Sequence, residues 1–177
     1  MSRHCPAGTP PLLIAVTLIL PLALVIGVLV AAAVVRGQRP APLLLPPAAA
    51  PAADSADCTH LLAALPQQLD GGAQGSLDRR ELAASVPSGA AAWGEPPVVL
   101  RCGLDRPAEL TATSRLLDVS GVQFLGIPHP TANAWVAVDR PRYVVVALPP
   151  GAGSGPLQQI AEVIAETLPT RQLDLPR

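Results

Sequence analysis

Lysine is missing from this 177-residue chain, whose 12 basic residues are all arginine. Aromatic residues are scarce, with one Phe, one Tyr and two Trp. A surface that stacks bases or sugars needs several rings, so the scarcity weighs against any reading that depends on such stacking. Neither charge predominates, the formal net charge being −1. Histidine occurs three times and cysteine three times. No G-x-S-x-G nucleophile elbow occurs, and the few histidines place no general base beside a serine. What the chain has in quantity is apolar: half its residues are hydrophobic, with 22 Pro and 14 Gly. Disorder driven by low hydropathy is therefore excluded for most of its length. Abundant Ala, Pro, Gly and Arg without Lys matches a GC-rich coding bias, so composition by itself carries no functional signal.

Pro6 to Val35 form 30 consecutive positions without a charge, and Leu12 to Val35 are almost entirely Leu, Ile, Val and Ala. A helix of about 24 residues reaches roughly 36 Å, enough for a hydrocarbon core of about 30 Å. Pro21 lies inside the run, and membrane helices tolerate such breakers. A buried soluble helix rarely runs so long without a polar face. The expected organisation is a cytoplasmic tail at 1–10, a transmembrane signal-anchor helix at 11–35, an Ala/Pro-rich linker at 36–53 and a domain at 54–177. The competing reading is a signal peptide cleaved near Ala31-Ala32-Ala33, which gives a secreted protein, but signal peptides carry an apolar region of only about 7–15 residues. Arg36 and Arg39 outnumber Arg3 across the run, which leans against export on the positive-inside rule. The proline-rich spacer and the two cysteines beyond it argue for export. The expectation is a single-pass protein of the cytoplasmic membrane with its C-terminal domain outside, the lipid bilayer as a partner and Cys5 reduced inside.

Residues 54–177 hold all 13 acidic residues and nine of the arginines, a net charge of −4. Polyanion-binding domains carry a basic patch instead, so nucleic acid is excluded as a partner. The fold expected is α+β: a small, mainly antiparallel sheet with helices on one face. Asp57 is positioned to cap a helix whose face carries Cys58, Leu61, Leu62 and Leu65, ending at Pro66. Leu69 to Ser76 reads as a loop, Leu82 to Val86 as a short strand, and Ala90 to Trp93 as a helical turn capped by Ser88 and stopped by Gly94. Pro97 to Cys102 alternates as a strand, with Cys102 and Arg101 on opposite faces. Leu116–Val119 and Val122–Ile127 read as a hairpin about Ser120-Gly121. Trp135–Val138 and Tyr143–Leu148 read as a second, turning near Asp139-Arg140-Pro141. Val144-Val145-Val146 is apolar on both faces and predicts a central strand. Pro156 opens a final helix with Leu157, Ile160, Ala161, Ile164 and Leu168 on one stripe and Gln158, Glu162 and Glu166 toward water.

The run from Ala90 to Gly103, with Trp93-Gly94-Glu95-Pro96-Pro97-Val98-Val99-Leu100-Arg101-Cys102-Gly103 at its heart, resembles the actinobacterial domain-of-unknown-function family 3515. Cys58 followed by Leu61, Leu62, Leu65 and Pro66 shares that resemblance, which covers Cys58 to Pro149. The resemblance implies a membrane-anchored or secreted envelope protein and supplies no activity, cofactor or catalytic residue.

The residues themselves offer few chemistries. Cys58 on the apolar face of a helix and Cys102 on the core side of a strand are placed for a structural disulfide, as an oxidising compartment allows. A loop of about 45 residues closed in this way is worth about 4 kcal/mol by chain entropy. A metal site would need Cys58, His60, Cys102 and His129, a set without the repeated close spacing of zinc ligands, and no metal is expected. Gly151 to Pro156 sits between strand and helix as a phosphate cradle would, but Pro156 removes a donor and a simple strand-to-helix connection accounts for it. Trp93 is expected in the core. Trp135, Arg101 and Arg140 are the candidate partner contacts, since Trp and Arg dominate interface energetics. No catalytic residue and no cofactor is assigned. The expected function is a non-catalytic binding or accessory module of the cell envelope, acting on an unidentified envelope protein or ligand. The alternative is an envelope hydrolase or transferase in which Glu95, Arg101, Asp118, Asp139 and Arg140 converge on one pocket.

Overall fold

The apolar run is helical where the computed structural model describes it, at residues 20–32 (α1); the described residues are 20–32 and 41–175. The chain divides into two units, Met1–Pro40 and Ala41–Arg177. In the first, the large apolar side chains from Leu20 to Val30 stand exposed. Among the described residues no helix is long and apolar enough to cross a membrane. The rest of the span expected at 11–35, and the tail at 1–10 with Cys5, lie outside the described residues.

The second unit is the α+β domain. Its elements are α2 (Ala56–Ala64), β1 (Gln68–Asp70), β2 (Ser76–Asp78), β3 (Ala90–Trp93), β4 (Val98–Leu104), β5 (Leu116–Val119), β6 (Val122–His129), β7 (Ala132–Ala137), β8 (Tyr143–Leu148) and α3 (Gly155–Thr167). β3 to β8 form one antiparallel sheet in the order β3-β4-β8-β7-β6-β5. As the apolar run of Val144 to Val146 predicts, β8 is central: Val144 and Val146 enter the main core while Val145 packs on the other side. The main core joins α2 and α3, through Cys58, Leu61, Leu157, Ile160 and Ile164, to Leu100, Cys102, Phe124 and Val146 of the sheet. On the opposite face a smaller cluster gathers Leu125, Val136 and Val138 under Leu110 and Leu173.

Several local expectations are corrected. Ser55, not Asp57, caps α2, its hydroxyl accepting from the Cys58 amide at 3.3 Å. The segment read as a loop at 69–76 contains most of an antiparallel hairpin, β1 with β2, closed over a short 3-10 turn at Gly72–Gln74. Ala90 to Trp93 is a strand, because its ladder to β4, from Ala90 opposite Arg101 to Trp93 opposite Val98, outweighs the helical preference of alanine. Leu82 to Val86 is not a strand; Leu82 only forms an isolated bridge to Leu43. Trp93 is fully buried as expected, and its indole N–H donates to the Pro66 carbonyl at 3.0 Å. The arginine Arg79 lies over its ring at 5.7 Å.

Residues 41–53, read as spacer, lie along the domain. The Leu43 amide donates to the Glu81 carbonyl at 2.8 Å, the Ala83 amide to Leu43 at 3.0 Å and the Ala52 amide to Gly103 at 3.1 Å. Proline-rich sequence has no propensity signal for such packing, since each contact is made with distant backbone. Gly103 is what admits it: its φ is +84° at a register shift in β4, and a Cβ there would run into the Ala52–Ala53 backbone. Gly103→Ala is expected to lower stability by about 2 kcal/mol in urea unfolding and to open the 41–53 segment to limited proteolysis. An unchanged midpoint with unchanged cleavage would show that the segment does not depend on this approach.

Candidate functional site

A cavity of about 670 Å³ opens on the helix-bearing face of the sheet beside α3. Its construction begins at the β5–β6 turn. Ser120 and Gly121 both have positive φ, 50° and 76°, the backbone of a two-residue hairpin turn whose twist matches the strands. Asp118 secures that turn by accepting from the Gly121 amide at 3.2 Å and from the Gln123 side-chain amide at 2.7 Å. Next along the sheet, Trp135 of β7 is paired with Gly126 of β6 and Val146 of β8. Gly126 has no side chain to fill its place, and the indole lies over it: a Cβ there would stand 3.1 Å from the ring. The half-buried ring thus forms a floor, with Leu117, Leu148 and Asn133 around it. Leu157, Gln158 and Glu162 of α3 make the facing wall, and Gly151 to Ser154 close one end.

The glycine-rich connection therefore borders this cleft. Its helix carries Pro156 near its start and has no side-chain cap from Ser154. The ionisable groups lining the cleft are the carboxylates Asp118 and Glu162, with no cation among the lining residues. Such a lining repels phosphate and other anions and suits an uncharged or cationic group beside the indole. Trp135 lies within a strand and not at a turn, packed partly against the main core. The importance of Gly126 was hidden in the sequence, because the pairing that sets it opposite Trp135 depends on strand register.

Arg101 and Arg140 do not join Trp135 here. Arg140 is a correction: it is buried, its guanidinium paired with Asp139 at 2.8 Å and donating to the Gly121 carbonyl at 2.8 Å. Adjacent carboxylate and backbone oxygens balance its charge through the two terminal nitrogens, while its buried Nε–H has no acceptor; it ties the two hairpin turns together and offers no exposed contact. Arg101, half-buried on the opposite face of the sheet, donates to the Pro46 carbonyl. Glu95 pairs with Arg80 at the surface, and Arg142 with Asp57 at 3.2 Å. Asp139 and Arg140 thus pair with each other, Glu95, Arg101 and Asp118 lie elsewhere, and the five do not converge on one of the described cavities.

Cys58 and Cys102 form a disulfide, with Cα atoms 5.6 Å apart and both residues fully buried. Those thiols are consumed, while His60 and His129 are exposed. His129 keeps to its own turn, with Nδ1 3.0 Å from the Thr131 hydroxyl. Among the described residues no three His, Cys, Asp or Glu are grouped to hold a metal ion.

The family model described as "Protein of unknown function (DUF3515)" matches residues 18–173, beyond the Cys58–Pro149 stretch that carries the resemblance and into the apolar run. No curated protein and no solved structure matches the chain.

Proposed function

The chain belongs to DUF3515, a family of proteins of unknown function, and from that premise we propose that it is a membrane-anchored, extracytoplasmic binding module of the cell envelope, non-catalytic, whose site is the cleft floored by Trp135. The observation that carries the reading is the half-buried indole laid over Gly126 in a cleft whose ionisable lining groups are both carboxylates. An apolar floor with a few polar groups at its margin is the usual make-up of a ligand site. The ligand class that follows is an uncharged or cationic envelope component, such as an unsubstituted saccharide or an amine-bearing peptide. The uninterrupted apolar run and the buried disulfide support the anchor and the outward-facing domain.

Acrylamide quenching of the full chain in lipid nanodiscs tests the cleft. Trp93 is fully buried, so the quenchable emission belongs to Trp135. A neutral oligosaccharide or a short cationic peptide is expected to protect that emission, and a polyphosphate is not. Trp135→Leu, which keeps apolar packing on Gly126, is expected to remove the quenchable emission, which checks that the reporter is Trp135. Protection by polyphosphate, or by none of the probes, would defeat the reading. Protease added to intact spheroplasts is expected to cut the domain without lysis, and a domain cut only after lysis would refute its outward placement.

A further inference from the structure

On the sheet face away from α2 and α3 lies a second cavity, of about 410 Å³, which the cleft reading does not use. Its hollow arises from side-chain size. Val99 and Ala147 are directly paired across β4 and β8, and Ala147 is paired in turn with Ala134 of β7. These short side chains, with Ala132 nearby, leave a trough in the sheet surface. Residues Leu43 to Pro46 roof it. The roof is held at one end by the bonds of Leu43 to Glu81 and Ala83, and at the other by Arg101, which donates to the Pro46 carbonyl. Apart from Thr131 the walls are leucine, proline, valine and alanine, and Arg101 is the single ionisable residue among those lining the trough.

Arg101 lacks the carboxylate that three other arginines have: Arg80 has Glu95, Arg140 has Asp139 and Arg142 has Asp57. Arg79 lacks one too, but it donates to the Leu62 and Leu65 carbonyls and lies over the Trp93 ring, away from the trough. Among the described residues no carboxylate lies within ion-pair distance of Arg101. Its guanidinium bears five N–H donors, more than one carbonyl can accept. Burial disfavours its charged form, which lowers its pKa from the ordinary arginine value. An anion beside it restores that lost stabilisation, and the guanidinium fork matches a carboxylate in two parallel hydrogen bonds. An apolar trough ending in one cation without a carboxylate partner is complementary to a molecule with one alkyl tail and one anionic head.

We propose that this trough binds a single-chain alkyl carboxylate, with the tail between Leu43–Pro46 and the Val99–Ala147 surface and the carboxylate on Arg101. The site is independent of the Trp135 cleft, on the other face of the sheet, and does not depend on which side of a membrane the domain occupies. Because the roof is made by residues 43–46, an occupant also fastens that segment to the domain.

The test is photolabelling of the full chain in nanodiscs with a long-chain carboxylic acid bearing a diazirine in its tail, followed by peptide mapping. Adducts are expected on the peptides that contain Leu43–Pro46 and Ala147. Arg101→Gln is expected to reduce them about tenfold or more, as loss of a charge-assisted bond implies. Arg101→Lys is expected to keep part of the labelling. Since Arg101→Gln also releases Pro46, Ala147→Leu provides the second variant: it fills the trough, leaves Arg101 in place and is expected to block labelling while thermal unfolding stays cooperative. The equivalent alkyl amine is expected to leave these peptides unlabelled. Adducts confined to α1, labelling indifferent to both variants, equal labelling by the amine, or stronger labelling by a two-chain diazirine phospholipid would each overturn the proposal.

Discussion

Replacing both Cys58 and Cys102 by alanine is expected to remove about 4 kcal/mol of stability, the chain-entropy value for a loop of this length. The two residues are separated by 44 positions, and the bridge joins α2 to β4. That connection matters because α2 is short, nine residues with only Cys58 and Leu61 buried, so little else pins it to the sheet. A nine-residue helix is marginal by itself in water and takes its stability from packing. In the oxidised protein the bridge therefore also holds Ser55 and Asp57, and through Asp57 the ion pair with Arg142. Reduction with dithiothreitol is expected to act in the same direction as the double substitution, because both lengthen the unfolded chain's reach. Urea unfolding of oxidised wild type against the double variant measures the difference. A loss below about 1 kcal/mol would mean that the helix is held by its apolar contacts alone, contrary to the loop-closure argument. A destabilised domain that still protects Trp135 from quencher would place the damage at α2, remote from the cleft.

The elements legible in the sequence are those whose order is local. α3 declares itself by its 3.6-residue stripe from Leu157 to Ile164 and by Pro156 near its start, and each stripe residue is buried. β4 and β8 declare themselves by alternation and by the two-sided apolar run of Val144 to Val146. The Ser120-Gly121 turn is a local steric requirement and is met with two positive φ angles. The errors fall where a distant partner decides. Ala90 to Trp93 is a strand because β4 offers it a ladder, and nothing inside four residues of Ala and Trp encodes that. Gly71-Gly72 and Gly75 indicate a turn correctly, but β1 and β2 are only three residues each, too short for a pattern. The β6–β7 turn is hidden by Pro128 and Pro130. Pro128 is tolerated because β5 pairs β6 only as far as Leu125, leaving the strand's far end free of a neighbour on that side. The disulfide was legible because both cysteines sit on apolar faces. The cleft was legible only as Trp135, since its floor depends on a cross-strand pairing and its wall on the seating of α3.

Asp139→Ala is expected to be as costly as loss of the disulfide, about 3–5 kcal/mol, because it strands a buried guanidinium. The side chain of Arg140 is 2% exposed and that of Asp139 is 8% exposed. Asp139 does more than balance the charge: its Oδ1 accepts from the Gln123 amide at 3.1 Å, at the start of β6. Arg140 in turn donates to the carbonyl of Gly121 in the neighbouring turn. The pair thus clamps the β7–β8 turn against the β5–β6 turn, and the second of these turns carries Asp118 and Ser120 on the rim of the cleft. A buried pair can be replaced by apolar residues at little cost, whereas removing one member leaves an uncompensated charge. Asp139→Ala combined with Arg140→Met is therefore expected to be more stable than Asp139→Ala alone, although the Gly121 carbonyl and the Gln123 amide each lose a partner. Urea unfolding of the two single variants and the double variant closes the cycle. Independent, additive losses would show that the two side chains do not act as a unit. If coupling is found, the double variant separates fold from site: with its stability partly recovered and the Gly121 tie absent, the β5–β6 turn is expected to loosen and ligand protection of Trp135 to weaken, while labelling of the trough at Arg101 stays unchanged.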